Sequence, residues 1–244
     1  MSNAAYLASR IKYSLLIVFL LVLNLLVVAF YDLELSRGVR LLSIAVLFIY
    51  YILKKGIKNK WITLSLLIFL VKDICFQVYE MSWGYKLYLL LGALAYITLV
   101  AERIPKLRNT KLSSSLIVIT LLLILANSYT LHMLMETLSY QFKDLLEISL
   151  FYFYGAMMII LGVTAIVYNN KYNSNRSLLY TFLAFSFIFS DIAALFAYYF
   201  GFEMFYFFDR FFFIIAMGLF VNYGLNYKSA QEEYYQYELI DKNL

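Results

Sequence analysis

The stretch that most constrains this chain runs from Leu64 to Tyr79, LSLLIFLVKDICFQVY, where Lys72 and Asp73 interrupt a segment otherwise fit to cross a membrane. A charge near the centre of a bilayer costs roughly 2.5–3.5 kcal/mol on insertion scales, so such residues face a protein interior and mark function. A second stretch repeats the pattern. Leu183 to Tyr199, LAFSFIFSDIAALFAYY, places Asp191 at the corresponding depth.

Composition settles what kind of chain surrounds these acids. Of its residues, 64% are hydrophobic and only 14% charged, and the mean hydropathy is +0.78. Soluble domains carry about 25% charged residues, so the expected fold class is all-α and polytopic, a bundle of transmembrane helices. The net charge of +5 is scattered between apolar runs and gathers on no face, which speaks against a nucleic-acid partner. One cysteine, Cys75, and one histidine, His132, exclude an internal disulfide and any multi-histidine metal site, and no cofactor is expected. There is no Gly-rich phosphate loop and no GxSxG elbow.

A spanning helix needs about 20 mostly apolar residues. On that template eight spans are predicted, at 13–31, 38–53, 61–80, 85–102, 113–132, 147–168, 177–200 and 207–227, the second of them short. Residues 1–230 form one transmembrane domain, and 231–244 a polar, acidic, tyrosine-rich tail. The first span follows Arg10 and Lys12 and lacks a small-residue cleavage site, so it reads as retained. Lys and Arg number 14 in the N-terminal segment, the three loops on the same side and the tail, against five in the opposite loops. The positive-inside rule then puts both termini in the cytoplasm, and the architecture suits a bacterial inner membrane.

Asp73 and Asp191 are separated by about half the chain, and each is followed by an outer loop, a basic residue (Lys86, Arg210) and a returning span with a small residue near its middle. This predicts two parallel four-span repeats, 1–111 and 112–230, with a site at their interface. Counting from the span starts places Asn24 and Asn127 in the same layer as the two aspartates. Lys72 points about 100° away from Asp73 around its helix, so the two do not simply satisfy each other. If the acids meet in one hollow, their protonations are forced apart, which gives one general acid and one base. Such a pair suits hydrolysis of an acid-labile ether. It equally suits proton-coupled transport. A non-catalytic scaffold or sensor with the tail as its contact is a third expectation. His132 reads as an interfacial residue, and the many tyrosines near span ends as an aromatic belt.

The stretches LVKDICF, LLLGALAYITLV, FSFIFSDIAAL and FFFIIAMGLFVNYGL resemble the YhhN-type lysoplasmalogenase family in layout. That resemblance implies an integral membrane hydrolase that cleaves the vinyl-ether bond of a lysophospholipid, releasing a fatty aldehyde. It implies Asp73 and Asp191 as the catalytic pair. Lys86 and Arg210, with Lys72, Asn24 and Asn127, are the candidate substrate-binding residues, the first two at a cationic mouth for the phosphate. The sequence departs from the family at Lys72, where glycine is usual, at Thr98, where histidine is common, and in a second span without proline.

Overall fold

The computed structural model describes residues 3–107 and 114–226, with side chains from Ile11 onward. The proposed tail contact at 231–244 lies outside the described residues. Eight α-helices follow one another: α1 (Asn3–Phe30), α2 (Leu33–Leu53), α3 (Lys60–Phe76), α4 (Ser82–Leu107), α5 (Ser114–Leu138), α6 (Leu145–Tyr172), α7 (Asn175–Tyr199) and α8 (Met204–Leu225). The chain is an all-α polytopic bundle. Seven helices are long and apolar enough to span a membrane; α3, with 17 residues, is the exception. The expected short second span is instead a full 21 residues. It starts early because Asp32 caps it, accepting from the Leu35 N–H at 2.8 Å, and the polar run Glu34 to Arg40 is already helical.

Other starts are fixed in the same way. Asn59 caps α3 and Asp144 caps α6, and Ser174 forms a capping box with Ser177 at the head of α7. Between α6 and α7 only two residues intervene, because Asn173 takes the left-handed conformation (φ 40°) and reverses the chain at once.

Helices α2, α3, α4, α6, α7 and α8 close into a ring in which each packs on the next, with α1 outside against α2 and α8, and α5 outside against α6. Exchanging α1–α4 with α5–α8 carries every neighbour pair of the ring onto another. At its centre Phe69 of α3 stacks on Phe187 of α7, centroids 4.6 Å apart and planes within 10°. Tyr96 of α4 and Phe220 of α8 each meet both rings at 6.0–6.2 Å. Offset and edge contacts of this kind add about 0.5–1.5 kcal/mol per pair beyond burial. Asp73 and Asp191 lie four residues, one turn, beyond the stacked phenylalanines.

α3 is enclosed on one side. Ile62, Ser65, Leu66, Phe69, Lys72, Asp73 and Phe76 are buried, a stripe of helical period, while Leu64, Leu67, Val71 and Ile74 are exposed on the lipid side. Both charges therefore fall on the inward stripe. α5 differs from its counterpart: α1 is held by two helices and α5 by α6 alone apart from slight contacts, which leaves space along its inner face.

Candidate functional site

Around the two aspartates the buried charges form two neutral groups side by side. In the first, Arg40 of α2 donates through Nε to Asp73 at 3.2 Å and through Nη1 to Asp209 at 3.1 Å. Ser190 donates to Asp209 at 2.7 Å, Arg210 also donates to it, and Arg210 reaches Ser36 at 3.2 Å. Two guanidinium groups thus face two carboxylates, all buried. The Arg40 guanidinium lies 3.6 Å from the Phe213 ring centroid, so its faces are covered as well as its edges.

In the second group the Lys72 ammonium stands 3.7 Å from Asp191 and donates to the Tyr154 hydroxyl at 2.8 Å. Tyr154 in turn donates to Asp191 at 2.6 Å, and Tyr96 donates to the same carboxylate. Lys72 also sits over the Tyr88 ring, 4.4 Å from its centroid. The Tyr154 hydroxyl is therefore a relay, accepting from an ammonium and donating to a carboxylate. Its position depends on Gly92: a Cβ there would fall 2.4 Å from the Tyr154 ring.

Asp191 differs from its counterpart in access. It lies on a cavity of about 220 Å³ bounded by α3 to α7 and lined almost wholly by apolar side chains, with Tyr88 and Tyr154 beside it. Its side chain is 10% exposed, against 1% for Asp73. Asp73 does not line this cavity. The expectation of one hollow shared by two carboxylates is corrected here, because Arg40 fills the space beside Asp73 and pairs with it. Tyr154 is the donor from α6 to the α7 acid as Arg40 is from α2 to the α3 acid; the first leaves its acid accessible and the second closes it off.

A second apolar hollow, about 230 Å³, continues along α5, α6 and α7 and shares Thr130, Leu131, Leu134, Gly155, Met158 and Ile192 with the first. At the other end, Tyr79, Tyr198 and Tyr199 line both the Asp191 cavity and a polar pocket of about 170 Å³ that carries Glu80, Gln141, Lys143 and Glu147. Lys86 bridges Asp144 beside this pocket and approaches Glu147 at 3.8 Å, and Arg37 pairs with Glu80 at 2.6 Å. Asp144 lies outside the spans, and the hydrogen bond from Lys86 holds its carboxyl below the ordinary value.

The remaining candidates separate. Lys72 joins the Asp191 group. Lys86 lies at the rim as expected. Arg210 is fully buried beside Asp209, so it belongs to no mouth; it neutralises a core carboxylate. Asn24 is buried away from the acids and bonds Ser43 at 2.8 Å, tying α1 to α2. Asn127 returns its amide to the Leu123 carbonyl and lines the second hollow, away from the charges. His132 is exposed and meets the Tyr152 hydroxyl at 3.0 Å. Arg40 and Tyr154 were the residues missed. The signal for Arg40 was present: Ser36, Arg40, Ser43 and Leu47 share one helical face, a polar stripe that only a charged interior would bury. Among the described residues no group of His, Cys, Asp or Glu has metal-binding proximity. Comparison of the chain with protein-family models, with curated proteins and with solved structures gave no match in any of the three.

Proposed function

We propose that this chain is an integral membrane hydrolase of a vinyl-ether lysophospholipid, resembling the YhhN-type enzymes, with Asp191 as its working carboxylate. The observation that carries this reading is a single carboxylate, set between a lysine and two tyrosines, on the wall of an otherwise apolar cavity. A lipid ether placed there meets ionisable groups where water is scarce, and each is strengthened by the low dielectric.

The chemistry divides among three side chains. The proton that the relay passes from Lys72 through Tyr154 to Asp191 goes on from that carboxyl to the vinyl carbon remote from the ether oxygen, which leaves an oxocarbenium ion and the Asp191 carboxylate. The Asp191 carboxylate stabilises that cation and then takes a proton from the water that adds to it. The hemiacetal so formed collapses to a fatty aldehyde and the free hydroxyl of the head group, consuming one water. In place of two acids in alternating roles, the site uses one carboxylate and a lysine–tyrosine relay. Asp73 serves this arrangement indirectly, by neutralising Arg40.

General acid–base groups contribute about 10²–10⁴-fold. Asp191→Asn in the purified, folded protein is expected to lower aldehyde release from lysoplasmalogen by at least about 10²-fold. Turnover at the unsubstituted rate would end the proposal. The charge bias of the loops supports an orientation with both termini cytoplasmic in a bacterial inner membrane, which turns the Lys86 rim outward; accessibility labelling at Lys86 and Lys58 in intact cells distinguishes the two faces.

One observation favours a second reading. The bridges Arg40–Asp209 and Lys72–Asp191 both cross between α1–α4 and α5–α8, where carriers built from repeats keep their coupling groups. A proton-coupled carrier predicts uptake into proteoliposomes that collapses with the proton gradient and with Asp191→Asn, and no aldehyde from lysolipid.

A further inference from the structure

The two hollows along α5, α6 and α7 are continuous through six shared residues, and together they form one lane that leads from the polar rim, past Asp191, to Ile166 and Phe185. Two of the bounding helices give the same length. From Phe151 to Ile166 on α6, 15 residues, and from Tyr199 to Phe185 on α7, 14 residues, the lane measures roughly 21–22 Å at 1.5 Å per residue. An extended chain advances about 1.2 Å per bond, so this lane accommodates about 18 bonds.

On the α6 side Gly155 and Gly162, two turns apart, line the lane and let side chains of α5 and α7 seat against the α6 backbone: a Cβ at Gly155 would lie 2.5 Å from the Leu131 side chain, and one at Gly162 3.3 Å from Ile188. The lining ends at the far side with Phe185 and Ile166, and the near end adjoins the polar pocket beside the Lys86–Asp144 and Arg37–Glu80 pairs, which carry both signs of charge.

We infer that this lane is the binding site of one linear alkyl chain and selects its length, holding a zwitterionic or ionic head group at the rim. The occupant is a single-chain amphiphile, because the lane is a single file, apolar along its length and charged only at its mouth and at Asp191. Lipid lying against the outside of a helix meets no end of this kind and shows no such preference. The inference deepens the hydrolase reading and rests on it for the position of the reacting bond, but not for binding itself.

The probe is a mixed series of saturated alkyl phosphocholines, which carry no vinyl ether, added to the full-length protein and read by native mass spectrometry. One preferred length, near 16–18 carbons, is expected. Val163→Phe narrows the lane 12 residues from Phe151, at about 18 Å, and is expected to shorten the preferred chain by about three carbons. Phe185→Ala opens the far end and is expected to lengthen it. Retention without length preference, or a preference unmoved by both variants, overturns the inference. Aldehyde release assayed in parallel separates the readings: a length preference without hydrolysis leaves the lane and removes the enzyme, and hydrolysis without length preference does the reverse.

Discussion

Arg40 carries a large energetic consequence, because it balances two carboxylates in a place that water does not reach. Removing one member of a buried ion pair costs about 3–5 kcal/mol, since the partner is left charged and unsolvated, whereas replacing both by apolar groups is often neutral. Arg40→Met is expected to fall in that range in thermal unfolding in detergent, and Arg40→Met with Asp73→Leu to recover most of it, leaving Asp209 with Arg210. A double variant no more stable than the single one would mean that Asp73 is held by something other than this pair. Tyr154 makes the opposite case. Tyr154→Phe keeps the ring stacked on Tyr96, centroids 5.5 Å apart, and removes only the hydroxyl between Lys72 and Asp191. Hydrogen bonds to charged groups are worth about 1.5–3 kcal/mol, so turnover is expected to fall about 10–100-fold, with a smaller drop in melting point than Arg40→Met shows. Outside the spans, Lys86 depresses the carboxyl of Asp144, whose ordinary value is 3.8. A depressed folded-state value stabilises the protein above the unfolded pKa, and the contribution is lost as pH falls through the lower value. Acid titration of stability is therefore expected to lose a small increment below pH about 4, an increment absent in Lys86→Gln.

Helices in this bundle approach where a side chain is missing, and Gly92 is the clearest instance. It lets α4 come close enough to α6 for the Tyr154 ring to cross its backbone. Gly92→Ala is expected to displace that ring and to lower turnover more than stability; an unchanged rate would show that Tyr154 reaches Asp191 from another rotamer. The elements themselves were legible in the sequence. All eight helices were found from apolar run length, seven of them long and apolar enough to span, and the caps at Asp32, Asn59 and Ser174 account for the earlier starts of α2, α3 and α7. The site was legible only in part. Asp191 and Lys72 stand out because they break an apolar run, and that signal is local. Which helix lies opposite is not local: Arg40, at the start of the predicted 38–53 span, was counted only among the loop charges, and Tyr154 was one tyrosine among 24. The same limit explains Arg210, whose charge suggested a mouth until its neighbour Asp209 was seen to be buried with it.

The arrangement of buried charge across the whole molecule follows from how the two sets of four helices meet. Within the ionic core, α1–α4 contribute Arg40, Lys72 and Asp73, a net of +1, and α5–α8 contribute Asp191, Asp209 and Arg210, a net of −1. Both bridges of this core between the sets run from a cation of the first to an anion of the second. Pairing two copies of the same set would instead bury an excess of like charge, which costs several kcal/mol and disfavours the wrong assembly. Association in a membrane gains little from apolar contact alone, because lipid solvates each set as well as the other does, so this complementarity and the central aromatic stack select the partner. Expressed as separate chains, 1–111 and 112–244 are expected to copurify with each other and not to self-associate. Asp191→Asn with Asp209→Asn in the second chain turns its core contribution from −1 to +1, so capture of the first is expected to drop sharply. Undiminished capture by that double variant would leave the stack of Phe69 on Phe187 and its neighbours as the determinant of pairing, and the charges as residents of the interface without a part in choosing it.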